Sequence, residues 1–191
     1  MKTFPIHLKV EGLKVLLVGG GHLALEKIER LVQYEADVTI VCPDLSPEVA
    51  AIVAEHDVRH LAESYCKDHI GNHRIIYAAA DDETNARIYD DTRKLPVLLN
   101  MVDAPDFCDF IMPSVVQGEH FTLSVSTGAK AAGLSKQMRE QFEQYLRRED
   151  DILVQLDKIR DVFKRKYDTF NERRDRLRQI LEELERIEKS E

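Results

Sequence analysis

The residues best placed to do chemistry in this 191-residue chain lie in one run near its start, Lys14-Val15-Leu16-Leu17-Val18-Gly19-Gly20-Gly21-His22-Leu23-Ala24-Leu25-Glu26-Lys27-Ile28. Glycines at the first and third positions and a small residue three further on form the pattern G-x-G-x-x-A. A strand-like run precedes it and a helix-like run follows, as a dinucleotide fingerprint requires. Gly19 allows the sharp turn out of the strand. Gly21, lacking a Cβ, lets the backbone approach a pyrophosphate, and Ala24 keeps the helix close to the sheet. Gly20, His22 and Leu23 complete the expected lining. The helix N-terminus adds free N–H groups and a partial positive charge that suit phosphates.

Three further sites could complete such chemistry. Asp44 lies about 20 positions past the fingerprint, beyond Asp37-Val38-Thr39-Ile40-Val41-Cys42 and Pro43. It suits either a hydrogen bond to an adenosine ribose or the opening of the turn Pro43-Asp44-Leu45-Ser46-Pro47. No Arg follows that strand directly, so NAD is expected rather than NADP. Asp103 closes Asn100-Met101-Val102-Asp103, where a carboxylate can accept a proton or cap the following turn. Ser126-Thr127-Gly128 offers hydroxyls and helix N–H groups to a ligand carboxylate, or an N-cap by Thr127. Ser124 shares a strand face with Ser126. Lys130, Lys136 and Arg139 can offset anionic charge or form a solvated helix face. The histidines are scattered, and no metal-ligand set is expected.

These residues need elements to hold them at one edge. Up to about residue 110, strand and helix patterns alternate: a helix over 46–55, strands over 58–62 and 74–80, a helix over 82–94 and a strand over 96–102. That order predicts an α/β, Rossmann-like, doubly wound parallel sheet, which binds ligands at the carboxyl ends of its strands. The glycine turn, Ala80 in Ala78-Ala79-Ala80-Asp81-Asp82, Asp103 and the Ser126 turn all follow strands. Two strands are then expected over 110–116 and 120–126, with Phe121, Leu123 and Val125 on one face of the second. A helix is expected over 130–146, with Leu134, Met138, Gln141 and Tyr145 on one face. From Asp150 the pattern is helical and charged, with apolar stripes Ile152, Leu156, Ile159, Phe163 and Leu177, Ile180 or Leu181, Leu184, Ile187. These suit packing onto the chain itself or a subunit contact. The expected division is 1–112 for dinucleotide binding, 113–146 as a small α+β dimerisation and substrate region, and 147–191 as a C-terminal helical region.

Composition narrows the class. The segment 147–191 is electrically neutral, so the whole net charge of −8 sits on the first 146 residues. Such a body repels nucleic acid, and no nucleic-acid partner is expected. No apolar run approaches the ~18 residues of a membrane span. Cys42, Cys66 and Cys108 form no C-x-x-C pair, which fits reduced thiols in a cytoplasm.

The segments VGGGHLALEKI, AAADDETN, NMVDAPDFCDFIMPSVV and FTLSVSTGAKAAGLSKQMRE, in this order, resemble the precorrin-2 dehydrogenase/sirohydrochlorin ferrochelatase family, the siroheme-synthase N-terminal module. The resemblance spans nearly the whole chain. It implies NAD-dependent oxidation of precorrin-2 to sirohydrochlorin in a homodimer, with iron insertion in some members. It also implies that Asp103 corresponds to the family's key carboxylate, and it places Ser124, Ser126, Thr127, Gly128 and Lys130 on the substrate side. The sequence departs from the family pattern at Ala129 (a second glycine), Ala132 (a proline), Ala80 (often threonine) and Gln117 in a hairpin turn that usually holds an arginine. The alternative is a non-catalytic NAD- or tetrapyrrole-binding regulator on the same scaffold.

Overall fold

The strand Lys14–Val18 (β1) is buried everywhere but at Lys14, and its side chains alternate between two cores. Val15 and Leu17 enter one and Leu16 and Val18 the other, as the two-residue period of a strand demands. A strand buried on both faces needs helices on both sides, and the chain supplies them. In this computed structural model, which describes residues 2–118 and 122–188, the chain divides into two compact units, Met1–Met112 and Pro113–Glu191.

In the first unit β1 is followed by His22–Gln33 (α1), Asp37–Val41 (β2), Pro47–Glu55 (α2), Arg59–Leu61 (β3), Ile75–Ala78 (β4), Asp82–Thr92 (α3) and Leu98–Met101 (β5). All pairings are parallel, in the order β3-β2-β1-β4-β5. Ala24, Ile28 and Leu31 of α1 and Val49 of α2 seal one face, and Ile88 of α3 with Tyr65 and Ile70 seals the other. This is the expected doubly wound sheet. Val18 is in register with both Val41 and Ala78, and Ala78 with Met101, so four strands end at one edge. The strand order reverses between β1 and β4, which opens the crevice where such sheets take ligands.

The outer edge of β5 is closed by the chain itself. Asp109 accepts the Leu99 N–H through its carboxylate at 2.9 Å and returns its own N–H to the Leu99 carbonyl at 2.8 Å. The Cys108 thiol accepts from Met101 N–H and donates to Met101 O, both at 3.2 Å. Side chains thus satisfy an edge that would otherwise invite another strand.

The second unit holds Ser114–Gln117 (β6) and Thr122–Val125 (β7), paired antiparallel, then Ala132–Lys166 (α4) and Phe170–Glu188 (α5). The strand expected from Phe110 begins only at Ser114. Phe110 instead stacks edge-on against Tyr77, its carbonyl accepts from Asn100, and Pro113 has no N–H for a ladder. The helix expected from Lys130 begins at Ala132, because Gly128 and Ala129 both adopt left-handed backbone first. It then runs through positions 146 and 147 without a break. The interruption falls at Thr169, where Thr169 Oγ1 accepts from Glu172 N–H and Glu172 accepts from Thr169 N–H. That reciprocal T-x-x-E capping box starts α5. Ile159, Phe163, Leu177 and Ile180 are half-buried. Phe121 and the side chains of Tyr145, Ile152, Leu156, Leu181, Leu184 and Ile187 lie outside the described residues.

Candidate functional site

The turn after β1 is pressed between two neighbouring strand ends. Gly19 has φ +118°, and a Cβ there would overlap the Ala79 carbonyl beyond β4, coming within 2.6 Å of its carbon. A Cβ on Gly20 would lie 2.5 Å from Cys42 Sγ and 2.6 Å from the Asp44 carbonyl oxygen beyond β2. Gly21 differs from both, since a Cβ there would meet open space. The chain therefore closes tightly around the first two glycines and leaves the third facing a gap. The G-x-G pattern does not single out Gly20, yet its position tolerates a side chain no better than Gly19.

Gly21 is the N-cap of α1 and makes no side-chain capping bond, and the first turn of α1 holds no acidic residue. The other two helices of this unit are finished differently. Ser46 Oγ accepts from Val49 N–H at 3.4 Å and Glu48 follows it. The Asp81 carboxylate accepts from Thr84 N–H and Oγ1–H, both at 2.9 Å, which holds its pKa below the usual carboxylate value. Ala24 and Leu25 N–H both bond to the Gly21 carbonyl, at 3.0 and 3.2 Å, so among the described residues it is the His22 and Leu23 N–H groups at the start of α1 that have no partner, beside open space that suits a phosphate. Ala24 is fully buried against the sheet, as its place in the fingerprint requires, while His22 and Leu23 are exposed at the mouth of the turn.

Asp44 and Ala80 follow the strand ends on either side of this turn. Asp44 is exposed; its backbone oxygen accepts the Cys42 thiol at 3.2 Å, and among the described residues its carboxylate has no hydrogen-bond partner. The turn is held instead by Ser46 N–H to Gly20 O at 2.8 Å. Burial, with Asp44 nearby, pushes the Cys42 thiol pKa up. Ala80 is half-buried and both of its backbone groups are taken by the buried Asn85 side chain. Asn85 lies within the AAADDETN segment, but nothing in its type or spacing marks it; its signal is the buried amide.

Asp103 stands two residues past the end of β5, exposed, with φ +60°. Left-handed backbone is uncommon outside glycine and best tolerated by Asn and Asp. Among the described residues its carboxylate accepts no hydrogen bond, so it does not cap the turn that follows. That turn is closed by the backbone, with Ala104 N–H to Met101 O at 3.3 Å and Phe107 N–H to Ala104 O at 3.0 Å.

In the second unit the Ser126–Gly128 turn is internally bonded. Thr127 Oγ1 accepts from Ala131 N–H at 3.1 Å and pairs with the buried Ser135 hydroxyl at 3.1 Å, so it steadies the approach to α4 although Ala131 is the N-cap. Ser126 Oγ accepts from Gly128 N–H at 3.2 Å. Ser124 is half-buried, and Lys130 is exposed. Among the described residues no group of three or more His, Cys, Asp or Glu side chains is arranged to hold a metal ion. No described helix is long and apolar enough to cross a membrane.

Residues 6–114 match the family model described as "Putative NAD(P)-binding". The chain belongs to this NAD(P)-binding family. Among its relatives are siroheme synthase of Psychrobacter cryohalolentis, 35% identical over 95% of this chain and 35% of its own length, and siroheme synthase 2 of Aeromonas hydrophila, 35% identical over 91% of this chain and 37% of its own. Siroheme synthase of Neisseria meningitidis serogroup C is 33% identical, with the same two coverages. The chain spans about a third of the length of these curated relatives. The solved structure of "SirC, precorrin-2 dehydrogenase" shares the fold, with a TM-score of 0.77 and 23% identity over 93% of this chain and 89% of that one.

Proposed function

We propose that this protein oxidises precorrin-2 to sirohydrochlorin with NAD⁺. The observation that carries the reading is the uncapped N-terminus of α1 beside the open space at Gly21, found in a chain related to siroheme synthases along 95% of its length. The residues present fit a dinucleotide. Gly19, Gly20, Gly21, His22, Leu23 and Ala24 would hold its pyrophosphate, Asp44 its adenosine ribose, and Ala80 would form the opposite wall. NAD⁺, when bound, would supply the acceptor for the hydride. Asp103 is assigned the proton that leaves the macrocycle with it, because a free carboxylate beyond a strand end at this edge is available as a base. Ser124, Ser126, Thr127, Gly128 and Lys130 of the second unit are assigned to the substrate's carboxylates. Iron insertion, which also removes pyrrole N–H protons, would use the same base with the metal as substrate. A homodimer built on residues 113–146 and a cytoplasmic setting complete the reading; all three cysteines are free.

The test is anaerobic incubation with precorrin-2 and NAD⁺, followed by absorbance, on the parent and on Asp103→Asn. The parent should form sirohydrochlorin. Asp103→Asn keeps size and the left-handed preference but removes the base, so turnover should fall by about 10²–10⁴-fold with NAD⁺ affinity retained. A loss confined to metal insertion would restrict Asp103 to that step. An inactive parent that still binds NAD⁺ and tetrapyrrole would make the chain a binder.

A further inference from the structure

Asn85 is buried, at 8% exposure, in the first turns of α3, where a primary amide is costly unless its groups are met. Both are met by one residue. Ala80 N–H donates to Asn85 Oδ1 at 3.1 Å, and Asn85 Nδ2–H donates to the Ala80 carbonyl at 3.0 Å. Up to Ala79 the chain beyond β4 still bonds to the sheet, through Ala79 N–H to Val18 O at 2.8 Å. At Ala80 the sheet supplies no partner, and the Asn85 amide takes the place of a neighbouring strand. The start of α3 does not need this amide, because Asp81 already caps it and accepts the Asn85 backbone N–H at 2.8 Å. What the amide fixes is the Ala79–Ala80 segment, which lies so close to Gly19 that no Cβ fits between them.

We propose that Asn85 is a positioning residue of the dinucleotide site, holding Ala79–Ala80 as a rigid wall against the glycine turn so that cofactor affinity depends on its side chain. The inference rests on the dinucleotide reading above. Asn85→Asp keeps the shape but turns an oxygen toward the Ala80 carbonyl, and Asn85→Ala removes both bonds; either releases Ala80. Thr92→Ala serves as the control. It deletes the buried bond from Thr92 Oγ1 to Tyr89 O at the far end of the same helix. NAD⁺ binding by calorimetry, the KM for NAD⁺ and kcat are measured on the full chain, with urea unfolding alongside. Both Asn85 variants should raise the Kd and KM for NAD⁺ by about tenfold, as expected for one lost buried hydrogen-bonding partner, with kcat at saturating NAD⁺ nearly unchanged. Thr92→Ala should lose stability without losing affinity. Parental affinity in either folded Asn85 variant overturns the proposal, as does an equal loss of affinity in Thr92→Ala. A parent without affinity for NAD⁺ would remove the dinucleotide reading itself, a result visible before any variant is made.

Discussion

A side chain at Gly19 or Gly20 would collide with the strand ends on either side, so those two positions are glycine in order for β1, β2 and β4 to converge. Gly21 faces only space and has ordinary extended backbone, so nothing in the chain itself requires glycine there. Substitution separates the two roles. Gly21→Asp should fold normally and lose NAD⁺ affinity by ~100-fold or more, because its carboxylate would face the pyrophosphate across a helix start that otherwise attracts anions. Gly20→Ala should lose stability first. Calorimetry and thermal melts distinguish these outcomes, and unchanged NAD⁺ binding in Gly21→Asp would reassign the turn. The same reasoning applies to Ala129, which has a glycine-like φ of +63°. Ala129→Gly should relieve ~1–2 kcal/mol of left-handed strain against ~0.4–1 kcal/mol of added chain entropy. Urea unfolding should therefore show a net gain of about 0 to 1.6 kcal/mol, and a loss would mean the strain is not there.

At the scale of elements, the parallel strands and their helices were legible in the sequence because burial on both faces leaves continuous apolar runs, as in Val15–Val18 and Ile75–Ala78. The glycine turn was legible because its backbone demand excludes most residues. Asn85 was not, since a polar residue near a helix start reads as surface until its burial is known. Nor was the edge closure by Cys108 and Asp109, which depends on a chain reversal that no local pattern announces. The late start of β6 followed from Phe110 finding a partner in Tyr77, a tertiary contact that overrides strand propensity. Tyr77 also gives β4 a measurable signature. Burial pushes its pKa up to about 12 from an ordinary value of 10.0. A folded pKa raised above the unfolded one gives stability that is full below pH ~10 and is lost as pH rises toward ~12. A shift of this size corresponds to roughly 2–3 kcal/mol. Unfolding free energies of the parent should thus fall between pH 10 and 12 more steeply than those of Tyr77→Phe. Parallel curves would show that the phenol has the same pKa folded and unfolded, so that burial does not raise it.

For the whole molecule, charge is distributed unequally. The first 146 residues carry the net charge of −8, whereas the segment 147–191 is neutral. Among the described residues the second unit has a sheet of two strands, an arrangement that is marginal in water without further packing. It also leaves Leu134, Phe142, Val162 and Phe170 exposed, Val162 at 55% and Phe170 at 72%. A second copy offering the same surface would bury these side chains isologously, the most common way for identical chains to associate. We therefore expect a homodimer, with light scattering at micromolar concentration giving twice the 22.0 kDa chain mass. Leu134→Glu combined with Phe142→Glu should shift the population toward monomer and leave the first unit's NAD⁺ affinity intact. Truncation after Leu146 should lower solubility, because it cuts α4 mid-length and bares apolar surface. A monomeric parent at that concentration would instead mean that the helical end packs on its own chain, and it would remove the interface from the functional reading while leaving the dinucleotide site as it stands.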